Sequence, residues 1–92
     1  MTPAPRLKLA PHARLRFDRF SGRWMLLAPE RGLLLNGTAA AMVRKLDGEH
    51  TEAEVVAALE RACPPPERPL VASDVRRFLA ALLERRLVET VP

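Results

Sequence analysis

Trp24-Met25-Leu26-Leu27-Ala28-Pro29-Glu30-Arg31-Gly32-Leu33-Leu34-Leu35-Asn36-Gly37-Thr38-Ala39-Ala40 is the stretch on which the fold turns. Two apolar runs, 24–28 and 33–35, flank a Pro-Glu-Arg-Gly bend, and a helix start follows at once. Pro29 has no N–H to give to a ladder, so the first run should stop there as a strand. Gly32 frees the backbone to turn, and Leu33-Leu34-Leu35 then reads as a short strand of its own. Trp24 and Leu26 fall on one face of the first run, Met25 and Leu27 on the other.

Just upstream, Ala13-Arg-Leu-Arg-Phe-Asp18 alternates strictly, with Ala13, Leu15 and Phe17 against Arg14, Arg16 and Asp18. That is the period of a half-buried strand. Arg19-Phe-Ser-Gly22 supplies the turn. Three strands with tight links predict an antiparallel meander.

Downstream the period changes to that of helices. Asn36 or Thr38 can cap the first, and Ala39, Met42, Val43 and Leu46 recur on one face. Gly48 is expected to end it as a C-cap glycine. Thr51 and Glu54 form a T-x-x-E capping box for a second helix, whose inner face is Val55, Val56, Leu59 and Ala62. Pro64-Pro65-Pro66 cannot continue it, and 64–69 reads as a stiff linker. Ser73 is the expected cap of a third helix, with Val75, Phe78, Leu79, Leu82 and Leu83 at i, i+3, i+4, i+7 and i+8. Leu87-Val88 is a short extended end. The order predicts an α+β fold of winged-helix type, a three-stranded antiparallel meander followed by three α-helices. Residues 1–12, with Pro3, Pro5 and Pro11, read as a proline-rich flexible arm. Residues 13–92 read as a single domain, a size that supports one small core.

The net charge of +4 is unevenly spread. Residues 1–46 hold nine Lys/Arg and two Asp/Glu, a surplus of seven positive charges; residues 47–92 hold six and nine, a surplus of three negative ones. The basic half suits an acidic partner, although a solvated Arg-rich surface gives the same count. Cys63 is the sole cysteine, so no internal disulfide forms and a reducing cytoplasm is expected. The first residues contain no signal-peptide core, and no run approaches the roughly 20 apolar residues of a membrane span.

Catalytic patterns are missing. His12 and His50 have no partner at metal-ligand spacing, and there is no G-x-S-x-G, Walker or G-x-G-x-x-G motif. The acidic residues Glu49, Glu52 and Glu54 sit at a helix start, where they complement the helix dipole. The chain is read as a non-enzyme without metal or cofactor. Three binding roles remain. A winged helix could set Arg76, Arg77 and Arg85 on phosphates, but the helical half is net acidic and its third helix lacks Asn, Gln or Thr for base edges. Alternatively, the last strand of the meander takes up a peptide as an added strand. A third reading is a homodimeric structural module that buries the same strands.

Residues 26–59, LLAPERGLLLNGTAAAMVRKLDGEHTEAEVVAAL, with 74–88, DVRRFLAALLERRLV, resemble the PqqD family of pyrroloquinoline quinone biosynthesis. The shared elements are Leu26-Leu27-Ala28-Pro29-Glu30, Leu35-Asn36, Asp47-Gly48, Thr51 and Asp74-Val75, spread over about residues 13–90. The resemblance implies a peptide chaperone with the fold of the recognition elements found in ribosomally made, modified peptide pathways. Its expected partners are the precursor peptide PqqA and the radical S-adenosylmethionine enzyme PqqE, which cross-links a Glu and a Tyr side chain. No nucleic acid or membrane is implied, and a homodimer stays open. The guest would add beside the third strand against the third helix. The resemblance thus assigns Leu33, Leu34, Leu35 and Asn36 to the strand side, and Val75, Arg76, Phe78, Leu79, Leu82 and Leu83 to the helix side. Arg31, Arg76, Arg77 and Arg85 are candidates to pair with acidic residues of the guest.

Overall fold

The computed structural model describes residues 4–29 and 31–92. In chain order it comprises β1 (Arg6–Leu9), β2 (Arg14–Asp18), β3 (Arg23–Ala28), β4 (Arg31–Leu35), α1 (Gly37–Arg44), β5 (Asp47–Thr51), α2 (Glu52–Ala62), a short 3-10 turn (Pro65–Glu67), α3 (Arg68–Glu84) and β6 (Val88–Val91). The expected meander is present as one antiparallel sheet in the order β2-β3-β4. Its register sets Leu15 opposite Leu26 and Leu26 opposite Leu33, and sets Phe17 opposite Trp24 and Trp24 opposite Leu35. Directly opposed residues share a face. One face is therefore Leu15, Leu26 and Leu33 with Phe17, Trp24 and Leu35. It packs on the helices, and Leu26 and Leu35 are buried. Arg44 of α1 stacks over the Trp24 ring at 4.3 Å, and Phe17 tilts against the same ring at 5.2 Å.

A second antiparallel sheet, β5-β1-β6, was not expected. Its central strand, β1, lies inside the stretch read as a flexible arm. Arg6 pairs with Thr51 on one side and Val91 on the other, and Leu7 is buried, so the boundary at residue 12 separates no appendage from the domain. The leading Met1–Pro3 lie outside the described residues. Gly48 is likewise not a helix cap. Lys45 closes α1, and Gly48 (φ +84°) sits in β5, across from the register shift between Leu7 and Lys8. The strand changes register there through a left-handed residue, a backbone that glycine adopts without a Cβ clash.

The helices follow their caps, with one exception. Asn36 Oδ1 accepts from Ala39 N at 2.7 Å, and the Thr51–Glu54 capping box is complete in both directions. Ser73, the expected cap of the third helix, lies inside α3, where its hydroxyl donates to the Leu70 carbonyl at 3.1 Å. The helix begins at Arg68 because Pro69 falls at its first turn, where a missing N–H costs nothing. Its far end is a Schellman motif. Leu87 N–H donates to Leu82 O and Arg86 N–H to Leu83 O, with Arg86 held at φ 60°. The α2–α3 pair and α1 share one core of Leu26, Leu35, Met42, Val43, Val55, Leu59, Val75, Leu79 and Leu82 with their neighbours. No helix among the described residues is long and apolar enough to cross a membrane.

Candidate peptide-binding edge

β4 is paired on one side only among the described residues. Which of its groups are free follows from the register. The β3–β4 connection leaves Ala28 opposite Arg31, a closing pair three residues apart. A pair so close to its turn exchanges both hydrogen bonds, and pairs alternate from there. Arg31, Leu33 and Leu35 therefore turn their backbone groups to β3. Gly32 and Leu34 turn theirs outward, offering two N–H donors and two C=O acceptors along the open edge. Gly32, expected at the turn, is a strand residue paired with Leu27.

The sheet has a second open edge, β2, and the two differ in chemistry. Three of the five β2 residues are charged: Arg14, Arg16 and Asp18. Charges along an edge disfavour the addition of another strand. β4 reads Arg-Gly-Leu-Leu-Leu, so after Arg31 nothing guards it. Leu34 is 53% exposed although it is a leucine in the middle of a strand.

The helix side divides into a centre and two flanks. At 3.6 residues per turn, Val75, Leu79 and Leu82 share one stripe. Each is 1% exposed, so these three support the core and present no surface to a guest. Leu35 is buried with them, and Asn36 is held by its capping bond. Arg76 and Leu83 lie on the flank turned away from β4. They line a cavity with Leu7 of β1, Glu52 and Ala53 of α2 and Thr90 of β6. Arg76 Nε is 3.6 Å from Glu52 Oε1 there. The opposite flank carries Phe78, Ala81 and Arg85. Arg85 shares a small cavity with Arg31, Ala28 and Pro29 at the β3–β4 turn, which sets this flank beside β4. Leu33 and Phe78 both pack on the margin of the core.

Of the ten residues assigned from the sequence, Leu33 and Phe78 pack on the margin of the core, while Leu34 points to the outer face of the sheet and offers only its backbone groups along the open edge. Leu35, Val75, Leu79 and Leu82 are buried in the core, Asn36 caps α1, and Arg76 and Leu83 line the cavity on the other flank of α3. Gly32, whose backbone groups also lie on the open edge, is not among the ten; counting parity from the turn identifies it.

Three carboxylates are held below their ordinary range, all by local turns or caps. Asp18 accepts from the Ser21 hydroxyl at 2.7 Å and from the N–H groups of Phe20 and Ser21. Asp47 accepts from Glu49 N–H and lies against His50 Nδ1, both at 2.9 Å. Glu54 takes the Thr51 N–H, then the Thr51 side chain. None of them lines the edge of β4, so the site's chemistry is backbone pairing and apolar contact, with Arg31 and Arg85 at one end.

Comparison with known proteins gives matches over most of the chain. Residues 23–88 match the family model described as coenzyme PQQ synthesis protein D (PqqD). A protein of Rhizobium meliloti (strain 1021) named PqqA binding protein is 38% identical over 92% of this chain and 86% of its own length. One of the same name from Gluconobacter oxydans (strain 621H) is 32% identical over 98% of this chain and all of its own. Among solved structures, the solution structure of the PqqD truncation of Methylobacterium extorquens PqqCD superposes with a TM-score of 0.69 at 30% identity, covering 90% of this chain and 87% of that one. That protein is described as a functional, stand-alone recognition element for ribosomally synthesised and post-translationally modified peptides.

Proposed function

This chain belongs to the PqqD family, and from that premise we propose that it is a peptide chaperone of pyrroloquinoline quinone biosynthesis. It binds the precursor peptide PqqA as a strand added beside β4 and presents it to PqqE. Its role is recognition, with no catalytic step of its own. The observation that carries this reading is the unguarded edge of β4, where Gly32 and Leu34 offer four backbone groups next to the Phe78–Arg85 flank of α3.

Magnitudes say how the work divides. Four added hydrogen bonds contribute roughly 1 kcal/mol each, about 4 kcal/mol together. Micromolar affinity needs about 8 kcal/mol. The remainder, about 4 kcal/mol before the cost of ordering the guest, corresponds to roughly 160 Å² of apolar burial. Backbone pairing alone would therefore bind any extended peptide only weakly, and side-chain contacts must select the guest.

The test is calorimetric titration with synthetic PqqA, with a random DNA duplex titrated in parallel and amide exchange recorded on the complex. Saturable one-to-one peptide binding, with new protection at the Gly32 and Leu34 amides, is the expected result. Salt-sensitive heat with DNA and none with peptide would hand the lead to the nucleic-acid reading.

A further inference from the structure

The guest's two faces do not meet the same surroundings. Side chains that point inward meet the groove beside α3. Those that point outward meet the other face of the sheet, where the helices do not pack. That outer face continues in rows across the strands: Arg14–Leu27–Gly32 and Arg16–Met25–Leu34. A strand added beside β4 supplies the next member of each row. In the second row it meets a leucine. In the first it meets a glycine, so the row ends in a hollow.

We propose that this hollow is a side-chain subsite for the guest, and that it takes one large apolar or aromatic residue. The inference rests on strand addition at β4. An ideal Cβ at Gly32 would sit 3.4 Å from Leu27 Cδ2 and 3.4 Å from Met25 Cε, so the two side chains lean over the glycine and form an apolar wall beside it. Met25 and Leu27 are only half-buried on a face that no helix covers. The guest residue opposite Gly32 lies in a doubly hydrogen-bonded pair, about 5.5 Å away between Cα atoms. A glycine there leaves room for a large side chain from the facing strand to fold across it onto Leu27 and Met25, as aromatic residues do over glycines in sheets. A small or charged guest residue would leave the apolar wall wet. Glycine at 32 is not demanded by the backbone, since its φ lies outside the left-handed region. Its use here is spatial.

The test is a double-mutant cycle by calorimetry between Gly32→Val and an alanine scan of the large apolar residues of synthetic PqqA. Valine suits an edge strand, so the variant is expected to melt at or above the wild-type temperature. In the wild type one guest position should lose about tenfold in affinity on change to alanine. In Gly32→Val the parent peptide should bind about tenfold more weakly, and alanine at that position should then cost less than twofold. Leu27→Ala, which removes the wall and leaves the edge intact, should erase the same position's contribution. Full affinity in both variants, or equal weakening of every peptide with no matched position, overturns the subsite while leaving strand addition standing. Absence of protection at Gly32 and Leu34 in the wild-type complex overturns strand addition itself and the subsite with it.

Discussion

Proline at two neighbouring positions of β4 should have opposite consequences. Proline removes a backbone N–H, and a sheet tolerates it only where that N–H faces solvent. The Leu33 N–H is committed to Leu26 of β3, whereas that of Leu34 points to the open edge. Leu33→Pro forfeits a ladder bond worth about 1 kcal/mol and strands the buried Leu26 carbonyl, which costs roughly 1–3 kcal/mol more. A loss near 3 kcal/mol lowers the melting temperature of a domain this size by about 12–24 °C. Leu34→Pro removes no internal bond and trims a side chain that is already 53% exposed, so its cost should stay within about 1 kcal/mol. Its effect falls on the guest instead. One hydrogen bond of about 1 kcal/mol is lost, a weakening of about fivefold or more in PqqA affinity. Thermal melts by circular dichroism and calorimetry on both variants decide the matter. Equal melting temperatures would refute the parity worked out from the Ala28–Arg31 pair. Native affinity in a folded Leu34→Pro variant would refute binding at this edge.

The two flanks of α3 make a second contrast: Arg85→Glu should weaken PqqA binding several-fold by calorimetry, while Arg76→Glu, on the flank away from β4, should leave it within twofold. Arg86→Gly should raise stability by about 1 kcal/mol in denaturant melts, because Arg86 occupies the left-handed position of a Schellman motif at φ 60° and glycine does so without the side-chain penalty. Acid should destabilise the fold through Asp18, Asp47 and Glu54. Their folded pKa values lie below the ordinary 3.8 for Asp and 4.5 for Glu, so their contribution is whole above those values and fades as pH falls through the lowered ones. The melting temperature should thus be flat near neutrality and drop below about pH 4, and Asp47→Asn should shrink the drop.

What the sequence discloses depends on whether burial leaves a period behind. β2 and β3 alternate because one face is covered, and the three helices repeat at 3.6 for the same reason. β5 reads Asp-Gly-Glu-His-Thr and contains no apolar residue, so it is a strand only because β1 pairs with it. β1 does alternate, with Leu7 and Leu9 between Arg6 and Lys8, but it is four residues long and lies between prolines that suggest an arm. For the site the limit is different. A helical stripe such as Val75, Leu79 and Leu82 marks the buried centre of α3, and a guest touches its margins. Periodicity fixes the centre and gives the two flanks equal standing. Only the fold sets Arg85 beside Arg31 and Arg76 beside Glu52.

Two three-stranded sheets have four edges between them, and the chain treats one unlike the rest. β5 is polar and bulged, and two of its N–H groups are already taken by side chains: Glu49 by Asp47 and Thr51 by Glu54. β6 is four residues long and is followed by Pro92, which has no N–H to offer. β2 is lined by Arg14, Arg16 and Asp18. Each is a known way of discouraging a foreign strand. Among the described residues β4 is guarded least, by Arg31 at one end, although a single substitution at Leu34 to lysine would add a second charge at little cost to the core. Among the described residues, that contrast between the edges supports the proposed use of β4 as a binding surface. The same groups are open to a second copy of the chain, so a guest and a second copy would compete for this edge.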